Sequence, residues 1–196
     1  MFEVLTGSGL AVAAGLNAYI PLLILGLAGR VFDFVELPAV WAWLENPWVI
    51  AVLGVLLVLE VIADKVPVVD SVNDWIQTIV RPAAGGIAFG TGSASETAVV
   101  TDPASFFTSD AWVPVVIGII LAFGTHATKM AARPVLNAAT AGAAAPVVSA
   151  AEDISSVLLS LMALIVPVIG TLALIGLIAW LVVRVRRARR TIKRPA

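Results

Sequence analysis

Apolar residues run in long stretches along this chain, and the polar residues between them gather in short clusters. The first stretch extends from about Leu5 to Gly29, with Gly7, Ala11, Gly15 and Ala18 forming a small-residue stripe on which another helix can pack closely. The second runs from Pro47 to Lys65, is rich in Val and Leu, and ends at Pro67. A third covers Trp112 to Lys129, and the longest runs from Ile154 to Val183, where Pro167 predicts a kink. A membrane-spanning helix needs roughly 20 apolar residues. An unpaired backbone group in lipid costs several kcal/mol, so such stretches are expected to be helical.

The segments between them are weaker. Val68 to Val80 reads as a short amphipathic helix, with Asp70, Asp74, Gln77 and Arg81 at helical spacing and Val72, Trp75, Ile76 and Ile79 on the other side. Pro82 to Gly86 is expected to break that helix, and Thr91 to Asp110, with Glu96, Asp102 and Asp110, reads as an acidic loop. After Arg133–Pro134 a small-residue segment, Val135 to Ala151, is interrupted by Pro146, and Glu152 and Asp153 precede the last apolar run. Beyond Arg30 a loop carries Asp33, Glu36 and Glu45, with Trp41, Trp43 and Trp48 as an interfacial belt.

An internal echo pairs Trp48, Gly54 and Lys65 with Trp112, Gly118 and Lys129 at a constant offset, and an Arg-Pro pair follows each lysine. The expected fold is therefore all-α: a polytopic transmembrane helical bundle of about six hydrophobic segments, two of them broken or re-entrant, with an internal repeat. In a six-crossing arrangement Val66–Thr91 and Arg133–Ala151 cross as broken helices; in a four-crossing one they fold back and the repeats are inverted. Charge asymmetry favours the first, because it puts nearly every Lys and Arg on the cytoplasmic side.

Composition agrees with a lipid setting: 60% of the 196 residues are hydrophobic, and the mean hydropathy is +1.03. The absence of cysteine excludes disulfides, thiolate metal sites and cysteine nucleophiles. Net charge is only −1, but seven of the 12 Lys and Arg residues fall after Val183. Residues 1–183 are thus expected to form the transmembrane domain and 184–196 a basic cytoplasmic tail that attracts anionic lipid rather than nucleic acid. Glu3 stands where a cleavable signal would carry a basic residue, so the first span is expected to stay in place. The protein is placed in the inner, plasma membrane with its C-terminus cytoplasmic.

Candidate chemistry lies in the polar residues inside apolar segments. Glu60 and Asp64 are four apart on one helix face, and Glu60 sits about 7 Å inside Lys65 at the helical rise. An ionisable group at that depth marks a function or a buried partner, here Lys129 or Arg133. Asp70, Asn73, Asp74, Gln77 and Arg81 form the densest polar patch; facing the bundle interior it would bind a cation or relay protons, and lying flat it would be the wet face of an interfacial helix. Asn17, Tyr19 and Pro21 interrupt the first stretch, and Pro21 leaves the carbonyl of Asn17 without its helical donor. His126, the only histidine, precedes Lys129 by three residues and cannot build a metal site alone. Gly90 to Ser93 lacks the Gly-Lys-Ser/Thr of a phosphate loop, and no nucleophile, base and orienting group occur at a familiar spacing, so no enzyme activity, cofactor or metal is expected.

The phrases Ala14 to Leu23 (AGLNAYIPLL), Asp64 to Asp74 (DKVPVVDSVND) and Val80-Arg-Pro82, with Pro146 to Ser149 and Glu152-Asp153, resemble a family of small bacterial integral-membrane proteins known as a domain of unknown function. The resemblance spans almost the whole chain and implies several membrane helices in a bacterial plasma membrane. It implies no activity and assigns no site residue.

Two functions follow as expectations. The first is a transporter or channel for a small cation or a proton-coupled solute, with a polar path through Asn17, Glu60, Asp64, Asp70, Asp74 and Arg81 and with His126, Lys129 and Arg133 nearby. The second is a non-catalytic accessory or scaffold subunit of a larger membrane complex, its charges held as ion pairs. Either would assemble as a homo-oligomer or with other membrane subunits.

Overall fold

The computed structural model describes residues 2–32, 35–65, 67–93 and 112–166, without the side chains at 2, 67, 68, 70 and 71. Every regular element among these residues is helical. They are α1 (Phe2–Leu16), α2 (Tyr19–Val31), α3 (Pro47–Ala63), α4 (Pro67–Gly92) and α5 (Trp112–Thr140), with a short 3-10 turn at Ala42–Glu45, followed by α6 (Ala145–Val166). Two of them, α5 and α6, are long and apolar enough to cross a membrane.

The first apolar stretch is not one span. It breaks at Asn17–Ala18, and α2 folds back along α1, so that Glu3 and Thr6 at one end and Ala28 and Val31 at the other line the same cavity. The break is written in the side chains. The Oδ1 of Asn17 accepts from the backbone N–H groups of Tyr19 (3.0 Å) and Ile20 (3.2 Å), capping α2. Pro21 follows in the first turn, so that regular helix begins just after the Asn17 carbonyl to which Pro21 cannot donate. The tip of this hairpin reaches the middle of the bundle: Gly15 lies against Ala122 and Thr125 of α5.

The expected break at Pro82 to Gly86 is also absent. The helix α4 continues through Pro82 to Gly92. Its glycines serve close packing: a Cβ on Gly85 would strike Ala122 and the backbone of Gly118, and one on Gly118 would strike the backbone of Gly85. Likewise α5 runs past Arg133–Pro134 to Thr140. It ends where Ala141 and Gly142 take positive φ values of 51° and 82°. The N–H of Gly142 bonds back to Asn137 at 2.9 Å, a closure that favours glycine. Pro146 does not interrupt a segment; it is the second residue of α6, and prolines are tolerated in a first turn.

Side-chain contacts fix the packing directions. Thr6 meets Ala163, Ala13 meets Ser156 and Asn17 meets Asp153, so α1 and α6 are antiparallel. In α3 and α4, Glu60 meets Arg81 and Asp64 meets Asn73, again antiparallel. Many exposed side chains among the described residues are apolar: Val55, Val58 and Ile62 of α3, Trp75 and Ile79 of α4, Ile120 of α5 and Leu158 and Met162 of α6. The inside holds Asn17, Glu60, Asp64, Asp74, Arg81, His126, Lys129 and Arg133, all buried. Charged side chains are seldom fully enclosed unless they are paired, and most of these are.

The residues aligned by the internal echo occupy different surroundings. Gly54 has open space beside it while Gly118 is packed on Gly85. Lys65 is exposed and donates to the Val61 carbonyl, whereas Lys129 is enclosed. The acidic stretch with Glu96, Asp102 and Asp110, Pro167, and the basic tail 184–196 lie outside the described residues.

Candidate functional site

Helices α3 to α6 and the tip of the α1–α2 hairpin bring their charged side chains to one buried cluster. Along α4, positions 74, 77 and 81 follow the four- and three-residue steps of one helix face, and this face turns inward. Asp74, Gln77 and Arg81 are all buried there. On α3, Glu60 and Asp64 present the matching face. The Nη2 of Arg81 lies 2.8 Å from Glu60 Oε1 and 3.7 Å from Asp64 Oδ2, and Asn73 donates to the other Asp64 oxygen at 2.9 Å.

From α5, two further cations meet the same Asp64 oxygen as Arg81. Lys129 Nζ is 3.3 Å and Arg133 Nη2 3.5 Å from its Oδ2. The same two cations hold Glu152 of α6, at 2.9 Å and 2.7 Å. Asp64 is thus shared among three cations and Glu152 between two. The alternating charges compensate part of the large cost of removing them from water.

The hairpin tip contributes backbone and amide groups. Arg81 Nη1 donates to the Gly15 carbonyl at 3.4 Å, near the C-terminus of α1, where a helix end attracts positive charge. Asn17, while capping α2 with its oxygen, donates its Nδ2 to Asp153 Oδ1 at 2.9 Å. His126 closes the group. Its Nδ1 is 3.2 Å from Arg81 Nη1, and its Nε2 is 3.2 Å from the Thr78 hydroxyl.

Among the sequence candidates, Asn17, Glu60, Asp64, Asp74, Arg81, His126, Lys129 and Arg133 all lie in this one neighbourhood. Glu60 pairs with Arg81 on the next helix rather than with Lys129 or Arg133. Asp70 belongs to α4, but its side chain lies outside the described residues. Glu152 and Asp153 were missed as candidates because they read as polar residues ahead of an apolar run. A carboxylate pair in the opening turns of a helix that then stays apolar is the signal that marks them.

The cluster carries more acid than base. Glu60, Asp64, Asp74, Glu152 and Asp153 face Arg81, Lys129 and Arg133, while Lys65 points away along its own helix. Three buried acceptor oxygens have no partner among the described residues: Glu60 Oε2, Asp74 Oδ1 and Gln77 Oε1. No group of three or more acidic or imidazole side chains spaced to hold a metal ion occurs among the described residues.

No curated protein and no solved structure matches this chain. Over residues 4–187 it matches the model of DUF4126, a domain of unknown function, and it belongs to that family.

Proposed function

We propose that this chain is a multi-pass protein of the bacterial inner membrane that carries protons, or a small cation or solute coupled to them, through the charge cluster between α3, α4, α5 and α6. The observation that carries this reading is the acid excess around Arg81, Lys129 and Arg133, with unpartnered oxygens on Glu60 and Asp74. The buried charges are three acids and three bases, and the excess comes from the partly buried Glu152 and Asp153 at the edge of the cluster. Negative charge drawn partly out of water is relieved by a bound proton or cation. The folded-back α1–α2 hairpin supports the same reading, because discontinuous helices are tolerated at membrane depth where they are buried in protein or line a site. The basic tail after Val183 orients the C-terminus to the cytoplasm.

A second reading is favoured by one observation: Asp64 is already held by three cations, as expected of an accessory subunit whose charges only lock the bundle. Flux decides between them. In liposomes loaded with a pH-sensitive dye, the purified protein should dissipate an imposed proton gradient. Asp74→Asn and Asp70→Asn should slow it at least tenfold. Folded wild-type protein that passes neither protons nor alkali cations would remove the carrier reading and leave the accessory one.

A further inference from the structure

The face of α6 that meets α1 carries a hydroxyl or carboxylate at nearly every turn. Ser149, Glu152, Ser156 and Ser160 follow at steps of three, four and four, so they share one side of the helix. The three serines are fully buried. Ser156 donates to the Ala13 carbonyl at 2.9 Å, and one turn beyond Ser160 the Thr6 hydroxyl donates to the Ala163 carbonyl at 3.0 Å.

Ser149 and Ser160 differ from several other helical hydroxyls among the described residues. Thr125, Thr128 and Ser155 turn back onto the carbonyl one turn earlier, the usual resting place of such a group. The hydroxyls of Ser149 and Ser160 have no partner among the described residues. A buried hydroxyl without a protein partner is normally bonded to an ordered water. The face also has two defined ends. Glu152 lies in the charge cluster, and Thr6, Leu161 and Leu164 line a cavity of about 960 Å³ that also touches Thr91 and Val31. From Glu152 to Ala163 the distance along the helix is about 16 Å.

We propose that the Glu152–Ser156–Ser160 face of α6 holds a file of water that joins the charge cluster to this cavity, with Ser149 holding a water on the far side of Glu152, and that protons reach the cluster along the file. The inference rests on the carrier reading for its function and names the species carried: a proton passed between oxygens, each O–H bond breaking as the next forms. A metal ion would need several oxygen ligands at one level, whereas this face offers about one per turn.

The test uses the full chain in liposomes and exploits its lack of cysteine, since each introduced thiol is then the only one. Ser156→Cys and Ser160→Cys are nearly isosteric and should react with a small cationic thiosulfonate at least tenfold faster than Leu158→Cys, which sits on the exposed apolar face. Ser160→Val should cut proton flux at least tenfold, and Ser160→Thr should keep it. Serine-site thiols as slow as the Leu158 thiol overturn the water file, as does wild-type flux in Ser160→Val. A Leu158 thiol as fast as the others means that α6 is not in lipid, which overturns the membrane reading and this inference together. Fast serine-site labelling in a protein that passes no protons supports the water file and removes the carrier reading instead.

Discussion

The Nδ2 of Asn17 donates to Asp153 Oδ1 at 2.9 Å, tying the tip of the α1–α2 hairpin to the start of α6. One side chain therefore does two jobs, because its oxygen caps α2 while its amide holds a carboxylate. The apolar run from Leu5 to Gly29 turns back at Asn17, whose amide accepts from the first N–H groups of α2 and also donates to Asp153.

Substitutions at Asn17 separate the two jobs. Asn17→Ser keeps a capping oxygen but does not reach Asp153, and should lose about 1 kcal/mol, on the scale of one net hydrogen bond. Asn17→Asp keeps the cap but sets one carboxylate against another, and should be clearly worse than Asn17→Ser. Thermal unfolding in detergent ranks them. A more stable Asn17→Asp would show that the Asp153 contact does not hold the hairpin.

The Arg81–Glu60 pair is enclosed on both sides, with side-chain exposures of 0% and 1%. Removing one partner of such a pair strands the other and costs about 3–5 kcal/mol. Arg81→Met should therefore unfold far below the wild type. Adding Glu60→Gln should restore at least half of the loss, since Asp64 keeps Lys129 and Arg133. Losses that simply add in a double-mutant cycle would mean that the two side chains are not coupled.

Much of this site could be read from spacing. The inward face of α4 at Asp74, Gln77 and Arg81, and the Glu60–Asp64 step on α3, follow from helical periodicity alone. Glu152 and Asp153 did not stand out, because their role depends on α6 packing against α5 and α1, which no local pattern specifies. Helix continuity was misread for a related reason. Pro82, Gly85 and Gly86 look like breakers in isolation, yet the loss of backbone preference is outweighed where a neighbouring helix occupies the space that their small side chains leave. The same composition in the first run concealed a real break, because Asn17 acts through hydrogen bonds rather than through its helix propensity.

Two glycines should respond in opposite directions. Gly54 has open space beside it on the outer face of α3, so Gly54→Ala should raise stability, by up to about 1 kcal/mol, through helix propensity. A Cβ added at Gly118 would lie 2.6 Å from the Cβ of Phe89 and strike the backbone of Gly85, so Gly118→Ala forces α4 and α5 apart and should cost about 1–3 kcal/mol. Equal tolerance at both sites would contradict the close α4–α5 packing.

His126 allows a direct spectroscopic check of the cluster's wiring. Arg81 Nη1 carries only donors, so the His126 Nδ1 that it meets at 3.2 Å must offer a lone pair. The ring proton then sits on Nε2, where it donates to the Thr78 hydroxyl at 3.2 Å. That hydroxyl has its own hydrogen committed to the Asp74 carbonyl at 2.8 Å, which leaves its oxygen free to accept. Imidazole ¹⁵N shifts of protein labelled at its single histidine should therefore show a bare Nδ1 and a protonated Nε2. Replacing the ring with His126→Phe removes the acceptor from Arg81 and should cost about 1–3 kcal/mol, the penalty for stranding a buried donor. His126→Gln, which restores an oxygen acceptor, should recover part of it. A proton on Nδ1 would mean that Arg81 does not donate to the ring, and the chain from Glu60 through Arg81 and His126 to Thr78 would be broken at that link.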